Sequence, residues 1–311
     1  MSVILYRYDT SPYSAKIDHV LLLKNIPYER VTVANVLPRP EITDLLGVSH
    51  RRIPILAIGN DIYCDTSLIA SALERRFPAS DHYGTIFPNK KHGGGADTGL
   101  IKAFVSQWVD TVLFSQAIGL VPWEILPPGF VKDRETLIPG GHIDVEAAKA
   151  GRGKALSSLS TNLSLLEEQL ADGRECNASP APESLFDAST VPKSLEWLAR
   201  MTSHLEHLQQ SRPAVPELTG SDAAARIVAA SFEPYAVVGF DAREGERLGL
   251  NAGDEVSITR EDYATHIFGT VGKLVALNKE EFVLETKGSA GLVRCHFPRV
   301  VFTAKLCSEL K

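Results

Sequence analysis

The sequence predicts three successive folds along its 311 residues: an α/β domain, an all-helical middle, and a small all-β barrel or sandwich. Three observations predict this. Residues 1–79 alternate short apolar, β-branched runs with runs of helical period. Residues 98–230 keep the helical period with no strand between them. From Phe232 onward the period changes to two, and glycines punctuate short runs. The length suits such a division, because single cores stop growing beyond about 250–300 residues.

The first domain can be justified element by element. Val3–Tyr8 is an apolar run and reads as a buried strand. Ser11 is a strong helix-capping residue, and Pro12 suits the first helical position. A helix follows over Pro12–Lys24, with Ile17, Val20, Leu21 and Lys24 at helical spacing. Tyr28–Val33 alternates and is β-branched, so it is a second strand. Pro40–Leu46 is a short helix closed by Gly47. Pro54–Ile58 and Asp61–Cys64 flank the turn pair Gly59-Asn60 and form a hairpin. Asp65 opens a helix that runs through Phe77 and stops at Pro78. The order βαβαββα predicts a small mixed sheet with helices packed on it.

Residues 80–97 read as a linker, aperiodic and rich in glycine; Gly93-Gly94-Gly95 lacks the strand and helix start of a phosphate loop. Thr98–Gly119 is helical, with Phe104, Trp108, Val112 and Ser115 along one face. Pro122, Pro127, Pro128 and Pro139 predict an irregular segment. Val145–Leu170 is a long helix whose leucine stripe is core packing. A helix from Ser184 to Met201 starts with the capping pair Ser184 and Asp187, and another covers Ser221–Ala230. Residues 231–311 form the β domain, with strands at Tyr235–Phe240, Glu255–Thr259, Leu274–Leu277, Phe282–Glu285, Gly291–His296 and Val300–Ala304. Glycines 249, 253, 269, 272, 288 and 291 mark its turns.

Composition excludes several functions. The net charge of -6 is spread over interspersed acids and bases, which argues against nucleic acid and anionic membranes as partners. Cys64, Cys176, Cys295 and Cys307 are too scattered for a metal site or a disulfide framework. Arg7 and Asp9 interrupt the only apolar run near the amino terminus, so no signal peptide is read there. No stretch is apolar enough to span a bilayer, and the expected setting is reducing and cytoplasmic. Arg294-Cys295-His296 is not read as a nucleophile pair, since neighbours on a strand face opposite ways.

Three motifs of the first domain carry chemistry. Ser11-Pro12-Tyr13-Ser14 lies at a strand-to-helix turn, where unpaired N–H groups and the helix dipole favour an anion such as a thiolate. Taken alone, Ser11 reads better as a helix cap, and the other motifs of the domain change that. Arg52-Ile53-Pro54 enters the third strand, and Asp65-Thr66 opens the third helix. In this order and spacing they resemble the thioredoxin-fold half of a glutathione transferase, and the linker and helical middle extend the resemblance to about residue 220.

The resemblance implies glutathione as the bound cofactor. It implies that Ser11 stabilises the thiolate, with Tyr13 and Ser14 as alternative hydroxyl donors. Pro54 would be cis, turning the Ile53 backbone toward the cysteinyl part of glutathione. Asp65 and Thr66 would take the γ-glutamyl end and Arg52 an anionic end. Phe104, Trp108, Thr111 and Ser115 would line the pocket for a small, mostly apolar electrophile. The implied reaction is conjugation or glutathione-dependent cis–trans isomerisation, on a dedicated substrate such as a secondary metabolite. With serine rather than cysteine at position 11, thiol–disulfide exchange is not expected. Family members are usually homodimers. The extra β domain is outside the family's two-domain fold and resembles a fungal group of such proteins. The alternative is a binding or regulatory protein, or a hydrophobic-ligand carrier, that keeps the fold without the chemistry.

Overall fold

The structure, a computed structural model, describes residues 1–138, 140–170, 189–263 and 268–310. The chain divides into two compact units. One comprises Met1–Ile86, Asp133–His142 and Ala214–Lys311; the other comprises Phe87–Lys132 and Ile143–Pro213.

The first unit begins with the predicted βαβαββα order: β1 Val3–Arg7, α1 Pro12–Leu23, β2 Glu29–Thr32, α2 Pro40–Thr43, β3 Ile55–Ile58, β4 Asp61–Cys64 and α3 Thr66–Arg76. β1 pairs parallel with β2 and antiparallel with β3, and β3 pairs antiparallel with β4. Alternation along the strands divides the core between two faces. Val3, Leu5, Leu56, Ile58 and Tyr63 pack against Ile17 and Leu21 of α1 and Leu68, Ile69 and Leu73 of α3. Ile4, Tyr6, Ile55, Ala57, Ile62 and Cys64 face the other way and pack with Ile42 and Leu46. Gly59 is needed at the β3–β4 turn: its φ is +64°, and a Cβ there would lie 2.4 Å from the Ser231 carbonyl oxygen.

In the second unit, the helix predicted over residues 98–119 runs as α4 Gly99–Phe104, a π-helical stretch Val105–Leu113, and α5 Phe114–Ile118. The segment expected to be irregular contains α6 Pro128–Glu135, which bridges the two units' residue ranges. Its proline takes the first helical position, where no N–H is missed, so it starts a helix instead of breaking one. α7 Val145–Leu170 matches its prediction, and its Leu159 and Leu163 cluster with Val191. α8 spans Pro192–Gln210, nine residues past the predicted end at Met201. The capping pair Ser184 and Asp187, Cys176 and Pro139 lie outside the described residues.

α9 Gly220–Ala229 returns to the first unit, where Ala223, Ala224 and Ile227 are buried against the sheet. The compact units therefore do not follow the predicted boundary at residue 231. Where a strand was expected over Tyr235–Phe240 there is a short helix, α10 Tyr235–Val238, followed by α11 Ala242–Leu248. Gly239, at φ +73°, separates them, and the Asp241 carboxylate accepts from the N–H groups of Arg243 and Glu244. The cap fixes the start of α11; α10 ahead of it follows Pro234 and closes with the Gly239 N–H donating to the Tyr235 carbonyl at 2.7 Å. Five strands follow: β5 Glu255–Arg260, β6 Thr270–Leu277, β7 Glu281–Lys287, β8 Leu292–Pro298 and β9 Phe302–Leu306. Gly272, expected in a turn, lies inside β6, where a Cβ would fall 2.4 Å from the Glu285 carbonyl oxygen and only glycine fits.

These strands do not close a separate barrel or sandwich. β8 pairs parallel with β4, aligning Asp61 with Arg294, Ile62 with Cys295 and Tyr63 with His296. The result is one nine-stranded sheet in the order β2-β1-β3-β4-β8-β7-β6-β5-β9. Pairing with β8 covers what would be a bare edge on β4. The sheet also curls. β4 and β5 are four strands apart, roughly 19 Å in a flat sheet. Yet Arg260, the last residue of β5, donates to Asp65, the residue after β4, at 2.6 Å.

The opposite face of the β4–β8 seam holds a buried ionic cluster. His296 stacks on Tyr63 at 4.4 Å between ring centroids. Its Nδ1 lies 2.7 Å from Glu281 Oε2 and its Nε2 3.2 Å from Asp61 Oδ1. Arg76 of α3 donates to Asp61 and Tyr63, and Arg75 donates to Glu233 and Glu281. Burial alone would lower the His296 pKa, but hydrogen bonds to Asp61 and Glu281 outweigh it and raise it. When protonated, His296 joins two arginines in balancing three carboxylates. Cys295 points to the other face, into the apolar cluster, so Cys295 and His296 do not cooperate, as expected from strand alternation.

Candidate functional site

Strand register brings the three predicted motifs to one end of the sheet. Tyr6 lies opposite Ile55, and Ile55 opposite Cys64. The end of β1, the start of β3 and the end of β4 are therefore side by side. The chain leaves β1 for Ser11, enters β3 through Ile53-Pro54, and leaves β4 into Asp65-Thr66. α1 and α3 both begin at this end, which directs two helix N-termini at it.

Ser11 is 3% exposed and caps α1. Its Oγ accepts from the Ser14 N–H at 3.1 Å. That bond uses a lone pair only, so the hydroxyl proton is left for an outside acceptor. Ser14 is buried, and its Oγ has no partner among the described residues. Tyr13 is half-buried, with the Lys16 ammonium 5.7 Å from its ring. The same ammonium donates to Thr66 Oγ1 at 3.0 Å, tying α1 to the start of α3.

The Ile53–Pro54 peptide is cis, as expected, and so is Leu37–Pro38. Asp65 caps α3 from an unusual conformation, φ +76° and ψ 134°. A non-glycine residue held there is strained, and such strain concentrates at functional positions. Its Oδ1 accepts from the Ser67 N–H at 3.0 Å and from Ser67 Oγ at 2.6 Å. Its Oδ2 accepts from Arg260 Nη1 at 2.6 Å. Burial pushes the Asp65 carboxyl upward, but Arg260 and the Ser67 hydrogen bonds more than offset this and keep it below the ordinary carboxylate range.

Arg260, Asp262 and Tyr263 at the end of β5 are site residues that the sequence did not single out. Arg52 donates from Nη2 to Asp262 Oδ2 at 3.0 Å, and its guanidinium lies 5.2 Å from the Tyr263 ring. Tyr263 Oη lies 3.2 Å from His50 Nδ1. Burial, with Arg260 and Arg52 assisting, pulls the His50 pKa down to about 3, so the ring is neutral. A cavity of about 220 Å³ is lined by His50, Arg39, Arg51 and Phe268, among others. Arg260 and Asp65 are 195 residues apart, a separation that no local pattern encodes.

The predicted electrophile-binding residues lie in the second unit. Phe104 ends α4, and Trp108 and Thr111 lie in the π-helical stretch, a form often found at functional sites. The Phe104 and Trp108 rings are 4.8 Å apart. Trp108 Nε1 donates to Asn162 Oδ1 at 3.1 Å, which fastens it to α7. Thr111 and Ser115 spend their hydroxyls on the backbone carbonyls of Ser106 and Val112.

Residues 5–81 match the family model of the glutathione S-transferase N-terminal domain. Residues 116–219 match a domain of unknown function, DUF7962. No curated protein matches the chain. Among solved structures, a GST-like protein from Pseudomonas syringae is 26% identical, with a TM-score of 0.69, covering 98% of this chain and 100% of its own. That likeness extends through the C-terminal strands, and its source is bacterial. Rice GST1, solved in complex with glutathione, is 16% identical with a TM-score of 0.47, covering 73% of this chain and 94% of its own.

Proposed function

Because this chain belongs to the glutathione S-transferase superfamily, we propose that it binds glutathione at the shared end of β1, β3 and β4 and activates its thiol at Ser11. The observation that carries this reading is the strand register that aligns Ser11, cis-Pro54 and Asp65-Thr66. Ser11 gives the thiolate its unused O–H, and the α1 N-terminus adds its dipole. A free thiol has a pKa near 8.5, so lowering it by about one to two units populates the thiolate at neutral pH. The Ile53 backbone pairs with the cysteinyl part, Asp65 and Thr66 hold the γ-glutamyl end, and Arg52 holds a carboxylate. The thiolate attacks an electrophilic carbon of a small, mostly apolar molecule, either displacing a leaving group or adding to an activated double bond that then takes up a proton. The product is a conjugate, or an isomer once glutathione leaves again.

The test is retention on immobilised glutathione together with conjugation of a generic electrophile. Ser11→Ala abolishes turnover and spares binding under this reading; unchanged turnover removes Ser11 from the role. Because Ser11 also caps α1, the substitution lowers stability by about 1 kcal/mol. Ser11→Asn restores an acceptor for the cap without a hydroxyl, so it recovers the stability and not the turnover.

A second reading has one observation in its favour. Asp65 and Arg52, assigned to glutathione here, already hold protein charges. That fits a binding or regulatory protein without turnover. Glutathione retention with no conjugation of any electrophile favours it.

A further inference from the structure

The end of β5 carries charges of the kinds assigned to a ligand, on the same two receptors. Asp65, assigned to a ligand ammonium, receives the Arg260 guanidinium at 2.6 Å. Arg52, assigned to a ligand carboxylate, faces Asp262 at 3.0 Å. Between those contacts, Arg260 and Asp262 grip each other with two bonds, Nε to Oδ1 at 2.8 Å and Nη2 to Oδ2 at 3.1 Å. We propose that Arg260–Tyr263 is a built-in competing ligand, a strap that occupies the glutathione site until glutathione displaces it. This rests on the assignment of Asp65 and Arg52 to glutathione.

The physics favours a strap that is both stable and removable. Its four charges, Arg52, Asp65, Arg260 and Asp262, sum to zero, so the closed site leaves no uncompensated ion. Glutathione also brings an ammonium and carboxylates. When it enters, Asp65 and Arg52 exchange one partner for another of the same sign. Arg260 and Asp262 meanwhile keep their two-bond pair, which costs far less than exposing two single ions. Two ionic contacts break, Arg260–Asp65 and Arg52–Asp262. They differ in shielding: Arg260 and Asp65 are 11% and 20% exposed, while Arg52 and Asp262 are 30% and 39% exposed. Displacement therefore begins at the wetter Arg52–Asp262 contact. Tyr263 secures the far side through His50 and the Arg52 cation–π contact.

The strap is tested by calorimetric titration of glutathione into the full chain and its Arg260→Met and Asp262→Asn variants. Removing a competitor tightens binding, and about a tenfold lower Kd is expected for Arg260→Met. Asp65→Ala added to Arg260→Met then abolishes the gain. Hydrogen exchange gives an independent readout on the unaltered chain: glutathione should speed exchange at residues 260–263. Unchanged or weaker binding in both strap variants, or slower exchange at 260–263 with glutathione, overturns the strap. If Asp65→Ala still abolishes binding in that case, the glutathione site itself stands. No binding by any of the chains overturns the site and the strap together.

Discussion

The buried cluster at the β4–β8 seam makes His296→Gln the most informative stability variant. His296 is 2% exposed and lies between Glu281 and Asp61. With His296 protonated, three cations face three carboxylates; with glutamine, one carboxylate is left without a countercharge. Removing one partner of a buried pair costs about 3–5 kcal/mol. For a body of this size each kcal/mol moves Tm by about 2–4 °C, so the expected fall is roughly 6–20 °C. The loss depends on pH in a fixed direction. A histidine whose folded pKa is raised contributes fully below its unfolded value, about 6.5, and its contribution fades as pH climbs through the folded value. Within that window each pH unit removes about 1.4 kcal/mol. The gap between the native chain and His296→Gln, followed by urea unfolding from pH 6 to pH 9, is therefore widest at the acid end and narrows upward. Adding Glu281→Gln rebalances the charges and recovers at least half of the loss. A gap under about 1 kcal/mol, or one that stays flat across this range, refutes the charge argument.

Two further outcomes follow from packing. Gly59→Ala forces a side chain onto the Ser231 carbonyl at a positive φ, so the β3–β4 turn and the start of the C-terminal segment both shift; unfolding should fall by more than about 1 kcal/mol, measured by urea denaturation. Burial pushes the Cys64 and Cys295 thiols far above their ordinary range, so both resist a thiol reagent in the native chain while Cys307 reacts, and mass spectrometry of labelled peptides reads the order.

Much of the first unit was legible because its signals are local. Ser11-Pro12 and Asp65 mark helix starts by capping chemistry, and Gly59-Asn60 marks a turn by its conformational needs. α7 was legible to the residue, its leucine stripe running from Leu156 to the last residue, Leu170. The failures also have local causes. Pro128 was read as a breaker, whereas at a first helical position it is a starter. The apolar run Tyr235–Phe240 predicts a strand, yet Pro234 before it and Gly239 within it bound a single helical turn. The site was half legible: Ser11, Pro54, Asp65 and Thr66 advertise themselves by cap and turn chemistry, and Arg260 and Asp262 look like any charged strand end.

What no local signal could give is the attachment of the C-terminal strands, and the site depends on it. β8 pairs with β4 across some 235 residues, a choice driven by the open edge and by Ile62 and Cys64, which need cover on their face. Once β8 is seated, β7, β6 and β5 extend the sheet, with Val256 and Ile258 in the same large apolar cluster as Ile4 and Ile55. A flat continuation would leave β5 four strands from β4, roughly 19 Å away. The curl instead delivers Arg260 to within hydrogen-bond reach of Asp65. Core formation and the placement of the strap are thus one event, and the C-terminal strands are not a module that can be cut away from the site.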